Sequence, residues 1–425
     1  MNKTTIITRK IEIYVNQPDL VLRKEQNEQI KVWLKHSRDY ANKTMSFLHS
    51  VKFMDKVNEK INDNLTSSFS DYIEGSKRNS AYKIFAHEYK ELLPSYIRSS
   101  INNDVYNKYQ QTFKDVLKGV SSIPSYRQGY PIRFMKSVVR NLTPESFEFF
   151  KIPCKFKYGR DKSNNRSIVT KVTEGEYGLS DSSITYDYDK RKMFILLTVK
   201  IPVESHHLDE KKIMGVDLGL NNPAYVTISG DEKFRRSIGT RESFIDGRVY
   251  IQKQLRILTK SLKFTKGGKG RKKKLQKRDS YRSKERNYVK NQNHIISKEI
   301  VRLALLYNCS MINLEDLTGI GKDVKNSFVL RNWSYFELQS MIKNKSKQYG
   351  IVVNMVDAKY TSQRCSECGH IHQDNRMTQS EFECVECGFK ENADYNASKN
   401  ISIAHTDEFK KNIKKHKKKI ESLKK

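Results

Sequence analysis

The chain lacks an apolar run long enough to span a bilayer: its longest, about Met193 to Val199, falls well short of the roughly 18 to 20 residues such a helix needs. Met1 to Lys10 also lacks a signal-peptide core, so the expectation is a soluble, intracellular protein of the cytoplasm with no membrane partner. No internal repeat is evident at a fixed period of about 20 to 50 residues. Cysteine is scarce. Six in 425 residues are too few for a disulfide scaffold, and four of them form two Cys-x-x-Cys pairs, which in a reducing compartment favour metal. Cys154 and Cys309 are left over as ordinary thiols.

Acid is the other shortage. Against 80 Lys plus Arg stand only 48 Asp plus Glu, a formal net charge of +32. A surplus of that size repels itself and is most simply neutralised by a polyanion, with nucleic acid the leading partner and a ribosomal-type solvated surface or anionic lipid the competing readings. The 23 Tyr and 19 Phe supply stacking surface for exposed bases. With 37% hydrophobic residues the chain folds, and its length accommodates about two to four domains.

Patterning divides the chain. Thr4 to Val15 reads as a strand, ended by Pro18; Leu20 to Lys118 has apolar residues at three and four spacing and reads as an all-helical block. Beyond the turn-rich Ser121 to Pro131 come short strand-like runs, so the helical block is expected to be inserted into a β-rich module after its first strand. From about Lys212 the order is strand, hairpin turning at Gly230-Asp231, two long helices (about Arg241 to Phe264 and Asp279 to Tyr307), strand, helix and strand. That is an α/β layout with a mixed sheet. A tail with nine lysines closes the chain and reads as frayed helix or disorder.

Cys365, Cys368, Cys384 and Cys387 form the sharpest motif, each second cysteine followed by glycine. Four thiolates at this spacing make two knuckles around one tetrahedral Zn²⁺, structural because no ligand position stays open; a redox dithiol is the weaker rival. His370 and His372 read as surface residues of the ribbon loop. The second signal is three acids. Asp217 closes the apolar strand IMGVD, Glu315 closes MINLE, and Asp394 opens the last helix in ENADYNASKNI. A carboxylate at the end of a buried strand is costly unless paired or metal-bound. Each alone also suits ribose binding or helix capping; together they can converge on two Mg²⁺ ions that clamp a phosphodiester. Asp316 competes with Glu315, but strand alternation points the two to opposite faces. The third signal is Lys260 to Lys290, with fourteen Lys and Arg against two acids, where Gly267, Gly268 and Gly270 are expected to break the helices. Lys269, Arg271, Lys272, Lys273 and Lys274 are its candidate phosphate contacts, a solvated face being the plain alternative. Tyr126 and Arg127, with Tyr130 and Arg133, form a smaller cluster suited to RNA, though core tyrosines would look the same.

GVDLG, NLEDL and NADYNASKNI, with YTSQRCSECG and CVECG between the last two, resemble the split RuvC nuclease of TnpB proteins and their CRISPR relatives. KIMGVDLG, NWSYFELQ and NADYN bring the resemblance closest to the miniature type V-F CRISPR effectors. The resemblance implies an α+β multidomain fold: an N-terminal β-rich wedge module with an inserted helical domain, then an RNase H-like (RuvC) α/β domain with an inserted zinc ribbon. The boundaries expected are 1–17 (first wedge strand), 18–120 (helical recognition domain), 121–205 (remaining wedge), 206–360 (nuclease, first part), 361–391 (target-binding ribbon) and 392–425 (nuclease end and tail). It assigns Asp217, Glu315 and Asp394 to catalytic metal and Arg376 to the scissile strand. The activity implied is RNA-guided cleavage of double-stranded DNA, with guide RNA, a T-rich flanking motif and a homodimer on one guide. A transposon-associated TnpB nuclease is the near alternative; a nuclease-inactive guided binder or plain zinc-ribbon nucleic-acid protein is the further one.

Overall fold

In a computed structural model of the chain, residues 4–61, 76–159, 164–219, 222–316, 334–357, 360–376, 378, 380–407, 409–414 and 416 are described. They form two compact units, Met1–Pro202 and Val203–Lys425. No described helix is long and apolar enough to cross a membrane.

The first unit begins with β1 (Thr4–Val15), the span its β-branched residues led us to expect. Ile11, Ile13 and Val15 alternate into the core. Three helices follow, α1 (Leu20–Ile61), α2 (Lys77–Glu88) and α3 (Ser95–Leu117). The Asp19 carboxylate caps α1 by accepting the N–H groups of Val21 and Leu22 at 2.7 and 3.0 Å. Ile30, Leu34, Ala41, Met45 and Leu48 of α1 share one buried core with Ile97, Ile101 and Val105 of α3. The chain then adds β2 (Ile132–Phe134), β3 (Val139–Arg140), β4 (Ser146–Phe149), β5 (Ile152–Lys157), α4 (Asn165–Thr173), β6 (Gly178–Leu179), β7 (Ser182–Asp187) and β8 (Lys192–Pro202). The main path of the sheet runs β2-β7-β8-β1-β5-β4-β3, so the first strand lies in its interior, antiparallel to β8 (Ile13 opposite Met193) and to β5 (Val15 opposite Cys154). Burial pushes the Cys154 thiol up to about 12, as for an inert core thiol.

The second unit contains β9 (Asp209–Asp217), β10 (Ala224–Ile228), β11 (Asp231–Ile238), α5 (Gly247–Lys263), α6 (Gly268–Leu306), β12 (Cys309–Asp316), α7 (Tyr335–Ser346), β13 (Val352–Asp357), β14 (Glu381–Glu383), β15 (Lys390–Asn392) and α8 (Ala393–Ile403). The five-stranded sheet has the order β11-β10-β9-β12-β13. Its first three strands are antiparallel neighbours, while β9 and β13 run parallel to β12. One expectation needs correction. The break between the two long helices is confined to Phe264–Gly267: α6 already starts at Gly268 rather than near Asp279, and it contains Gly270. Only Gly267 and Gly268 take positive φ, 147° and 69°; the lysines after them are good helix formers and outweigh a lone glycine. Asn332 and Trp333 of the NWSYFELQ segment, and the tail beyond 416, lie outside the described residues.

Helix α8 crosses the sheet almost in contact with its backbone. A Cβ on Gly215 in β9 would stand 2.1 Å from the Ser398 carbonyl oxygen and 2.5 Å from the Ser402 nitrogen, so only glycine permits this approach. Beside it in the register, buried Asn313 of β12 donates to the carbonyl oxygens of Ile401 and Ser402 at 2.9 and 3.1 Å. Gly215→Ala is expected to lift α8 and destabilise the second unit by about 3 kcal/mol, read as a lowered denaturation midpoint.

Candidate active site and metal centre

Asp217 ends β9, Glu315 stands near the end of the neighbouring β12, and Asp394 lies in the first turn of α8. Gly215 and Asn313 face α8, and alternation by two puts Asp217 and Glu315 on that same face. Asn392 places the third acid: its side-chain oxygen accepts the N–H groups of Asp394 and Tyr395 at 2.9 and 3.1 Å, starting the helix there. The Asp394 carboxylate reaches back over Gly219, 3.8 Å from where a Cβ would be, and accepts from Asn222 at 2.8 Å. The three acids are 9%, 8% and 6% exposed. Asp316 is exposed, as alternation requires.

Burial, then the charges of Glu315 and Asp394, push the Asp217 carboxyl well above the usual carboxylate range, with Arg376 pulling it partly back. Burial also raises Glu315, opposed by the hydroxyl of Thr361, which donates to it, and by Arg376. Arg376 places Nη2 4.0 Å from Asp394 Oδ1. A buried group of carboxylates is expensive without a cation, and an all-oxygen donor set suits a hard divalent ion. Among the described residues the three acids do not close to within 4.8 Å of one another, as the four cysteines do.

Around these acids lie residues that sequence reading missed. Gln339 in α7 donates to the Glu315 carbonyl oxygen at 2.6 Å, and Tyr335, whose hydroxyl is raised by burial and by Asp217 and Glu315, opens the same helix. Asn396 and Asn400 on α8 are fully buried and hold the segment before the first knuckle: Asn396 donates to the Arg364 carbonyl at 2.8 Å, and Asn400 to those of Thr361 and Arg364 at 2.9 and 2.6 Å. Their spacing was legible in the sequence; their burial was not. Asn392, Asn396 and Asn400 recur every four residues, one face of a helix.

The cysteines form two matching knuckles. Gly369 N–H donates to the Cys365 carbonyl at 3.0 Å and Gly388 N–H to that of Cys384 at 2.9 Å, both glycines having positive φ. Sulfurs are 3.7 Å apart in Cys365–Cys387 and 3.6 Å in Cys368–Cys384. A tetrahedral ion with sulfur at about 2.3 Å requires neighbouring sulfurs about 3.8 Å apart, so the residues fit zinc. In the free thiol form burial holds Cys365 up at about 12, while the Phe389 N–H lowers Cys387. The ribbon core is small, Cys365, Cys384, Phe382 and Ala393 with Phe389 against them. His370 and His372 stack on each other 6.1 Å apart and are not in the cysteine cluster.

The proposed nucleic-acid contacts are not equivalent. Arg271 donates to the Leu262 and Thr265 carbonyls at 2.9 and 2.7 Å, and Lys274 to the Thr265 hydroxyl at 2.9 Å, so both close the end of α5. Lys269, Lys272 and Lys273 are exposed. In the first unit Arg127 is exposed, but Tyr126 packs on buried Tyr130 at 4.6 Å and its backbone pairs with Asn42. Tyr130 and Arg133 are both engaged by Asp104, at 3.1 and 2.9 Å. Tyr126 is thus packed against the core rather than presented as a stacking platform.

A family model described as the Cas12f1-like TNB domain matches residues 335–401. The CRISPR-associated endodeoxyribonuclease Cas12f1 of Sulfoacidibacillus thermotolerans is 34% identical over 330 residues, covering 72% of this chain and 75% of that protein. The chain belongs to the Cas12f1 family. A second Cas12f1, from Syntrophomonas palmitatica, is 29% identical over 392 residues and covers 77% of each chain. The protein chain in a cryo-EM structure of the Cas12f1–sgRNA–target DNA complex has a TM-score of 0.67 and 19% identity, covering 94% of this chain and 99% of that one, which extends the Cas12f1 likeness to the fold.

Proposed function

We propose that this chain is an RNA-guided DNA endonuclease, a metal-dependent nuclease that cuts guide-matched double-stranded DNA in one RuvC-type site. The observation that carries the reading is the placement of three buried carboxylates, Asp217, Glu315 and Asp394, on one face of the mixed sheet of a Cas12f1-family chain, near enough for the charges of the other two to raise Asp217. In this reading 206–360 and 392–425 are the RNase H-like nuclease and 361–391 the target-nucleic-acid-binding zinc ribbon, with one structural Zn²⁺. Residues 1–17 and 121–205 are the wedge, and 18–120 the helical recognition domain.

Asp217, Glu315 and Asp394 would hold two Mg²⁺ ions, which supply activation of a water and stabilisation of the leaving oxygen in phosphodiester hydrolysis. Asp217 ends the strand that pairs with β12, which bears Glu315, and that is crossed by α8, which bears Asp394. Asn222 and Thr361 orient Asp394 and Glu315, and Arg376 offers its guanidinium beside Asp394 to the scissile strand. The exposed Lys269, Lys272 and Lys273, with Arg127, meet backbone phosphate. Base pairing with the guide reads the sequence, and the protein reads a short T-rich flanking motif. Two copies assemble on one guide.

RNA recovered with the protein from its host is expected to carry a CRISPR repeat; RNA from a transposon end would assign the chain to the TnpB alternative. Guide affinity should fall at least about a hundredfold between 50 and 200 mM salt, as several released counterions require. A flat salt profile in a filter-binding titration would remove the phosphate contacts from the reading.

A further inference from the structure

Asn375 has no part in the reading above, yet none of its surface is exposed (0%). It ends the short 3-10 turn Gln373–Asn375 between the two knuckles. Its amide nitrogen donates to the carbonyl oxygens of Gln363 at 2.9 Å and His370 at 3.3 Å, and its amide oxygen accepts the Val385 N–H at 3.0 Å. These bonds reach three segments: the turn ahead of the first knuckle, the end of that knuckle, and the second knuckle between Cys384 and Cys387. A side-chain amide is suited to such a place because it donates and accepts at once. Gln363 lies two residues past Thr361, whose hydroxyl donates to Glu315, and the N–H groups of Gln363 and Arg364 both bond the Tyr360 carbonyl, at 3.1 and 2.9 Å. The residue after Asn375 is Arg376, beside Asp394. The ribbon therefore meets the acids at two points, through Thr361 and through Arg376, and Asn375 joins the segments that bear both.

We infer that Asn375 is a positioning residue, which fixes the backbone of Arg376 against both cysteine knuckles and so sets where its guanidinium stands over the three carboxylates. The inference rests on the proposed role of Arg376. An arginine side chain is long and has many rotamers, so its reach is defined only if the residue that carries it is fixed. Misplacement of a catalytic group by about 1 Å costs on the order of a hundredfold in rate.

The test uses the full chain with its guide RNA, Mg²⁺ and a matched DNA duplex, in the variants N375A, N375D, R376Q and N375A/R376Q. Zinc per chain, affinity for target and the single-turnover cleavage constant are measured for each. The N375A and N375D proteins should keep one zinc and wild-type target affinity while cleaving about 10- to 100-fold slower. The double variant should be no more than about twofold slower than R376Q, since without the guanidinium Asn375 has nothing to position. Cleavage by N375A at the wild-type rate beside a slow R376Q would overturn the inference alone. So would zinc loss from both Asn375 variants, or a double variant slowed by the product of the two single effects. R376Q at the wild-type rate would overturn the reading of Arg376 itself, and this inference with it.

Discussion

Asp217→Asn is expected to lower guided DNA cleavage by roughly a thousandfold or more while guide and target binding stay unchanged. The side chain keeps its size, so the packing beside α8 is retained, but one of the three carboxylates is gone. The same substitution should raise the melting temperature of the metal-free protein by a few degrees, because Asp217 is buried against Glu315 and Asp394. The sign follows from linkage. Its folded pKa lies above the unfolded one, so the folded state retains a proton that the unfolded state has released. Stability therefore falls as pH rises from the ordinary carboxylate range toward the raised value, and in Asp217→Asn that dependence shrinks. Asp316→Asn is the control, since this side chain is exposed on the opposite face, and it should cleave as wild type. Gel-based cleavage and calorimetry read both results. Persistent cutting by the Asp217 variant would place the active site elsewhere.

Cys384→Ser should leave the protein without zinc and slow cleavage by about a hundredfold or more. With so few core residues among those described, the proposed zinc would supply much of the ribbon's folding free energy, of order 10 kcal/mol for structural zinc sites. Without the ion the knuckles lose their common centre, and with them the approach of Arg376 to Asp394 and the turn that presents Thr361 to Glu315. Zinc content by atomic emission, set beside the cleavage constant, decides the matter. Full activity in a zinc-free variant would show that the ribbon folds without the metal.

The features legible in the sequence were those whose cause is local. β1 was readable because a β-branched run ends near Pro18, and Asp217 and Glu315 stood out because each follows an apolar strand. The cysteine spacing alone predicts a ligand set, and the sulfurs do gather. What escaped depends on partners distant in the chain. Nothing near Tyr126 indicates that Asn42, 84 positions earlier, holds its backbone. Arg271 and Lys274 look like free cations until the turn between α5 and α6 brings the Leu262 and Thr265 carbonyls to Arg271 and the Thr265 hydroxyl to Lys274. Asn396 and Asn400 look like surface polar residues, since burial of a polar helix face becomes favourable only when a specific loop supplies its hydrogen bonds.

The interior place of β1 sets the order of events when the chain is made. Thr8 and its cross-strand neighbour Thr198 are 190 positions apart, and the helices are synthesised between them. At about 5 to 20 residues per second the first strand waits roughly 10 to 40 seconds for β8. Until β5 is made, Ile11, Ile13 and Val15 have the nascent helices to shelter against and no partner strand. Such long-range pairing makes folding of the first unit slow relative to its helices, and leaves β1 the segment most exposed to non-native association while it waits.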